Sequence, residues 1–312
     1  MATIATPQRK YTVSTLFHRV LIQFLIMSGS LHGLSVLGPI YLSKHLGASP
    51  STVGLAASAV SVGELVTSVN AGTFIAHFGY KKGASLGSLI AMLSYLLAGS
   101  TGYYSTEPAL VYNATTILLQ SNITSVKLPT DIIIAQIVYC LGAACIGCGF
   151  TFYYLAQHTL ISSSVEDSSR GKAFAFTGGM WRVSGIFFPL IAGGLGATLG
   201  LHVALMLFAL VPVVAGVLAF TCWPAQQQRQ KTKAQQPSSS STIQTKPKSC
   251  CQIMVEFRSQ LLSVGTFSAL LSVVRSGRTI LIPLVGLSLQ LDIVSISLGV
   301  TASFVCDVCM FP

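Results

Sequence analysis

Eight long apolar runs, at residues 16–42, 52–75, 83–103, 132–161, 173–199, 201–223, 259–288 and 294–312, leave this chain very few ways to fold. A helix rises 1.5 Å per residue, so about 20 mostly apolar residues cross the roughly 30 Å hydrocarbon core of a bilayer. The runs match that length. Inside lipid every backbone N–H and C=O must find its partner within the protein, and for one continuous segment only a helix achieves this. The predicted fold class is an all-α, multi-pass membrane protein. The charge content agrees: 8% of the residues are charged, against roughly 25% in soluble domains. So few charges cannot cover a water-facing surface.

The few charges that exist are placed unevenly. With the N-terminus in the cytosol, thirteen Lys and Arg residues fall on the cytosolic side: Arg9, Lys10, Arg19, Lys81, Lys82, Arg170, Lys172, Arg229, Lys231, Lys233, Lys246, Lys248 and Arg258. The opposite side holds Lys44 and Lys127, and Arg182, Arg275 and Arg278 lie within spans. Positive charge marks the cytosolic side of a membrane protein, so this orientation is the expected one. The net charge of +10 therefore reads as topology. It forms no basic face interleaved with aromatics, and nucleic acid is not an expected partner. The first apolar run is too long for a signal core and lacks a cleavage site, so it is expected to stay as a transmembrane helix. Two N-glycosylation sequons, at Asn113 and Asn122, fall in the polar stretch 104–131, on the side the charge count places outside. They point to a membrane of the secretory route, the plasma membrane or an endomembrane such as the vacuole.

The polar stretch 224–258 is rich in Gln, Ser, Pro and Lys and cannot bury a core, so it reads as a disordered basic cytosolic linker. It divides the chain into a tail at 1–15, a six-helix bundle at 16–223 and a second unit beginning at 259–312. Cys250 and Cys251 adjoin basic residues just before a span and are palmitoylation candidates. The C-x2-C pairs Cys145/Cys148 and Cys306/Cys309 lie inside apolar runs. A zinc site needs further ligands at the same depth, so they read as small apolar filler. No metal or cofactor is expected.

Local motifs narrow the class. Gly72, Gly79, Lys81 and Lys82 stand between the second and third runs in GTFIAHFGYKK. One glycine suits a close helix approach and the other a tight turn. The stretch from Trp181 to Gly194 carries Gly185, Pro189, Gly193 and Gly194, a small-residue packing face with a proline. Arg275, Arg278 and Pro283 follow in the seventh run and Asp307 in the eighth. In layout and motifs the chain resembles the major facilitator superfamily over nearly all of 15–312. The family pattern between helices two and three has Asp and Arg where this chain has Ala76 and His77. That departure removes a charge pair thought to latch the two bundles. The helix-five motif is similar to the glycine-proline motif of drug antiporters, with Phe188 where Gly is usual. The resemblance implies a complete N-terminal six-helix bundle and the first two helices of a second. Since the family usually has twelve helices, it also implies a chain cut short in the eighth.

Ionisable groups at membrane depth are costly and usually face a bundle interior. Glu64 either binds a proton or cation during transport or pairs statically with Arg182 or His32. His32 contacts substrate, relays protons or packs. Gln23 and Asn70 read as helix-to-helix hydrogen bonders. Asp307 matches Arg275 in depth and is expected to pair with Arg275 or Arg278, either to order the bundle or to serve an anionic substrate. No P-loop, dinucleotide fingerprint or catalytic constellation appears, so neither an enzyme nor an ATP-driven pump is expected. The resemblance implies a secondary transporter of a small solute working by alternating access, with a proton gradient as one candidate driving force. Its rivals are a non-transporting scaffold or receptor on the same fold, or an inert fragment.

Overall fold

The computed structural model describes residues 13–105, 130–165, 167–223 and 258–310. Its helices are α1 (Val13–His45), α2 (Pro50–Phe78), α3 (Tyr80–Ser100), α4 (Thr130–Ser164), α5 (Asp167–Leu199), α6 (Leu201–Phe208), α7 (Leu210–Cys222), α8 (Arg258–Ser288) and α9 (Ile293–Met310). All eight predicted spans are helical, and among the described residues there is no strand. The first five helices and the α6–α7 pair are long and apolar enough to cross a membrane, and Ile293–Cys309 is a shorter apolar helix. Asn113, Asn122, Cys250, Cys251 and nearly all of the 224–258 linker lie outside the described residues.

Two departures from expectation have local causes. The predicted connection between the second and third spans shrinks to one residue, because Gly79, at φ 90°, closes α2 and opens α3. Backbone in that region suits glycine, which has no Cβ to clash. The sixth span is interrupted at Ala209 because Pro212 has no N–H to offer the Phe208 carbonyl. The Ala209 N–H turns instead to the Met206 carbonyl at 3.0 Å.

Helix α1 is the most buried span and packs on α5, α7 and α8. Helices α2 and α3 pack on α4, α3 also on α7, and α9 on α5. Close approach depends on small residues. A Cβ at Gly63 would fall on the Ala144 carbonyl oxygen, and one at Gly147 on the Val60 carbonyl oxygen, which joins α2 to α4. Gly87 and Gly149 do the same between α3 and α4. Gly72 has no such role. It is exposed and a Cβ there would meet nothing within 4 Å; the close approach expected of it is made about two and a half turns earlier by Gly63, and from α3 by Gly83 against Ile75.

The helices run back and forth between two ends. At one end the Tyr41 hydroxyl hydrogen-bonds Thr101 Oγ1 at 2.7 Å, and the rings of His45 and His202 approach to 6.2 Å. At the other, Trp223 Nε1 donates to Gln23 Oε1, and the rings of Tyr80 and Tyr153 each lie 6.0 Å from Trp223. Gln23 thus makes the interhelical hydrogen bond expected of it. Asn70 does not: it is exposed. Outward faces are apolar, with Leu65 75% and Val69 72% exposed on α2, as a lipid-facing surface requires.

Candidate functional site

His32, Ser28, Ser184, Arg278 and Asp307 lie where α1, α5, α8 and α9 meet. His32, on the buried helix α1, is 4% exposed. Its Nε2 lies 3.1 Å from the Trp181 carbonyl oxygen on α5. A carbonyl only accepts, so Nε2 carries the hydrogen and Nδ1 keeps the second titratable position. The ring meets Trp181 and Phe304 edge-on, each with centroids 4.7 Å apart. One turn earlier on α1, Ser28 Oγ and Ser184 Oγ hydrogen-bond at 2.8 Å, tying α1 to α5.

Phe304 leads on to the charged pair. The Arg278 guanidinium lies over its ring at 5.4 Å. Arg278 donates from Nη1 and Nη2 to the two Asp307 oxygens, each at 2.7 Å, and Nη1 also reaches the Ser303 carbonyl at 3.3 Å. The ion pair expected for Asp307 therefore forms with Arg278. Arg275 is exposed one turn away and, like Arg182 on α5, acts on Asp307 electrostatically. At 1.5 Å per residue, Arg278 sits about 15 Å before the end of α8 and Asp307 about 21 Å after the start of α9, so both lie well away from the α8–α9 turn.

The glycine-proline stretch of α5 faces this region as a packing surface. A Cβ at Gly185 would meet the Phe304 ring, and one at Gly193 would meet Ser297. Thr301 Oγ1 donates to the Ile186 carbonyl across the same seam at 3.2 Å. Phe188, the departure from the motif, is accommodated by Gly29, where a Cβ would collide with its ring.

Glu64 lies apart from these groups, on α2 against α4. Thr151 Oγ1 donates to its main-chain carbonyl at 3.4 Å, and the Tyr154 hydroxyl is within electrostatic range of its carboxylate. Neither Arg182 nor His32 pairs with it, which corrects the static alternative. Among the described residues the half-buried carboxylate makes no ion pair and no side-chain hydrogen bond. Aromatic side chains connect it to the rest: Tyr154 stacks on Phe150 at 5.7 Å, and Phe150 meets Trp181 at 5.5 Å. Tyr154 also lies 4.0 Å from the His158 ring.

Sequence reasoning missed Tyr154, Phe304 and Gln157 as site residues. Gln157 is fully buried and neither its amide oxygen nor its nitrogen has a partner. Its signal was a lone amide in an apolar run, four residues after Tyr153 and so on the same helix face. The Tyr153 hydroxyl is likewise buried and unpaired. In the connection motif, Lys81 stacks its ammonium over Phe220 at 4.6 Å and Lys82 lies over Phe78 at 5.9 Å. Ala76 and His77 are exposed, with the His77 Nδ1 bonded to the Thr73 carbonyl of its own helix at 3.1 Å.

A family model described as Major Facilitator Superfamily matches residues 20–311. The chain belongs to the major facilitator superfamily. It is therefore an integral, multi-pass membrane protein of a family that transports small molecules and is not enzymatic. No curated protein matches the chain. The Trp181–His32–Phe304 contacts lie where α1 and α5 meet α9.

Proposed function

We propose that this chain is a secondary active transporter that moves a small solute by alternating access, with Glu64 as its proton- or cation-binding carboxylate. One observation carries the reading. Of the two acids at membrane depth, Asp307 is held by Arg278, whereas Glu64 has no cation and no side-chain donor among the described residues. A carboxyl group in low dielectric without a counter-ion favours its protonated form, and its proton can be exchanged as the surroundings change. The aromatic path from Tyr154 through Trp181 to His32 supports solute movement along the inner face, with His32, Arg182, Arg275, Arg278 and Asp307 on its far side.

The orientation we propose has a cytosolic N-terminus, with Gly72, Gly79, Lys81 and Lys82 on the cytosolic side and Asn113 and Asn122 glycosylated outside. The α5 glycine face supports a drug-antiporter-like branch. That motif concerns helix packing against α9 and leaves the chemistry of the solute open.

Reconstitution into vesicles with an imposed pH gradient tests the proposal. Gradient-driven flux is expected from the parent chain, and Glu64→Gln should abolish the coupling while leaving the protein folded. Flux unchanged by Glu64→Gln would remove Glu64 from the coupling role. No flux at all would favour a scaffold or receptor on this fold, a reading that the exposed and unlatched Ala76 and His77 support.

A further inference from the structure

The chain has six histidines, and two of them meet at the end of the molecule that holds the Tyr41–Thr101 hydrogen bond. His45 is the last residue of α1 and His202 the second of α6. Their rings stand edge to face at 77°, with centres 6.2 Å apart. Tyr41 flanks His45 at 5.5 Å and Tyr103 flanks His202 at 6.2 Å. Both histidines are half-buried. The stem of His202 is fixed against the main chain of Gly102, where an added Cβ would lie 2.7 Å from the His202 Cβ. The nitrogens of the pair set it apart. His32 commits Nε2 to the Trp181 carbonyl, and His77 commits Nδ1 to the Thr73 carbonyl. His158 Nε2 is sealed from solvent. None of the four ring nitrogens of His45 and His202 has a hydrogen-bond partner among the described residues, and none is cut off from water.

We propose that His45 and His202 together bind a divalent transition-metal ion of the Zn²⁺ and Cu²⁺ class, reached from the aqueous phase at this end of the molecule. An imidazole nitrogen that is not spent on a hydrogen bond is a ligand for such ions. A zinc–nitrogen bond is about 2.1 Å and a ring nitrogen stands about 1.1 Å from its ring centre, so two rings on one ion have centres up to about 6.4 Å apart. The observed separation is within that reach. The outer torsion of histidine is broad, so the rings turn their nitrogens to a common point without moving either helix. Lys44 is exposed and, one residue before His45, points about 100° away around α1, so its charge does not face the pair. Among the described residues no group of three or more His, Cys, Asp or Glu lies together. The protein therefore supplies two ligands and water completes the shell. A bound ion joins the end of α1 to the start of α6. The two histidines are far apart in the chain, so no ligand spacing in the sequence marks them. The inference does not rest on the transport reading above.

The test uses the full chain without a histidine tag, in lipid nanodiscs, titrated with Zn²⁺ by calorimetry. Mg²⁺ serves as comparison because it prefers oxygen ligands. Zn²⁺ should bind saturably, a single ion per chain, and raise the unfolding temperature. Mg²⁺ should do neither. His45→Asn and His202→Asn should each weaken Zn²⁺ binding by roughly tenfold or more. In the parent chain loaded with Cu²⁺, the electron spin-echo spectrum should carry the nitrogen couplings of two imidazoles, and in either variant those of one.

No saturable Zn²⁺ binding by the parent chain overturns the inference. So does stabilisation by Mg²⁺ equal to that by Zn²⁺. Zn²⁺ affinity unchanged in either variant also overturns it, since the ion would then be adventitious, held by other histidines or by the exposed Cys145, Cys306 or Cys309. The Cu²⁺ spectrum decides even where a variant fails to fold: a single imidazole, or none, in the parent chain ends the proposal.

Discussion

Arg278 on α8 and Asp307 on α9 meet fork to fork, with both nitrogen–oxygen distances at 2.7 Å. The pair joins the last two helices, and the Phe304 ring beneath the guanidinium joins it to His32 on α1. These contacts tie α8 and α9 to α1.

Removing one member of this pair leaves the other charged and without its partner. The side chains are 28% and 21% exposed, so the full loss of roughly 3–5 kcal/mol for a buried pair is discounted. Asp307→Ala is expected to destabilise the chain by about 2 kcal/mol. The double variant Arg278→Leu/Asp307→Leu should cost less than Asp307→Ala alone, because neither charge is stranded. Thermal unfolding in detergent checks both. A double variant less stable than either single variant would mean that the pair is not the unit of stabilisation.

The glycines make a second, opposite pair of expectations. At Gly63 a Cβ would press on the Ala144 main-chain carbonyl, which cannot move aside as a flexible side chain can. Gly63→Ala should force α2 from α4 and lower stability by about 1–3 kcal/mol. Gly72, exposed on the same helix with nothing within 4 Å, should accept Ala with a gain of up to about 1 kcal/mol. Equal losses at the two positions would contradict the packing described for α2.

How much of this was legible in the sequence differs from element to element. The helices were, since apolar length alone requires helix in lipid: all eight stretches are helical among the described residues, and six of them are long and apolar enough to cross a membrane. The tight turn expected of a glycine between the second and third spans forms at Gly79, but its length of one residue was not legible, because a glycine at φ 90° replaces a loop without changing composition. Neither was the break at Ala209, although Pro212 was visible; proline is tolerated within membrane helices often enough that its position predicts no interruption. Depth correctly brought Asp307 into reach of the α8 arginines. It could not choose between Arg275 and Arg278, which differ by three residues and hence by about 60° around the helix. The contact of His32 with Trp181 and Phe304 joins residues far apart in the chain, and no local pattern encodes it.

Asp292 gives a pH dependence outside the membrane-spanning segments. It stands before α9 and accepts the Ser295 N–H at 3.2 Å. Hydrogen bonds from the Ser295 side chain and backbone hold its carboxyl below its ordinary value of 3.8. A lowered folded-state value means that the ionised cap stabilises α9 above that ordinary value, and that this contribution fades as pH falls through the folded-state value. Hydrogen-exchange protection of the first turn of α9 should therefore drop at acid pH in the parent chain. Asp292→Asn, an equally good cap without a titrating group, should lose that pH dependence and keep its protection at neutral pH.

Gln157 separates a structural amide from a functional one. Its side chain is fully buried on α4, and both amide atoms lack partners. A buried, unsatisfied amide costs about 1–3 kcal/mol. Gln157→Leu, close in volume, should therefore leave the chain as stable as the parent or more so. Nothing in the packing of α4 needs the amide, so its presence calls for a polar role along the same face as Tyr153. We expect Gln157→Leu to reduce flux in vesicles by about tenfold or more while unfolding at an equal or higher temperature. Lost stability with unchanged flux would assign the amide to the framework. A gain in stability with flux intact would mean that the amide has no role in the transport path.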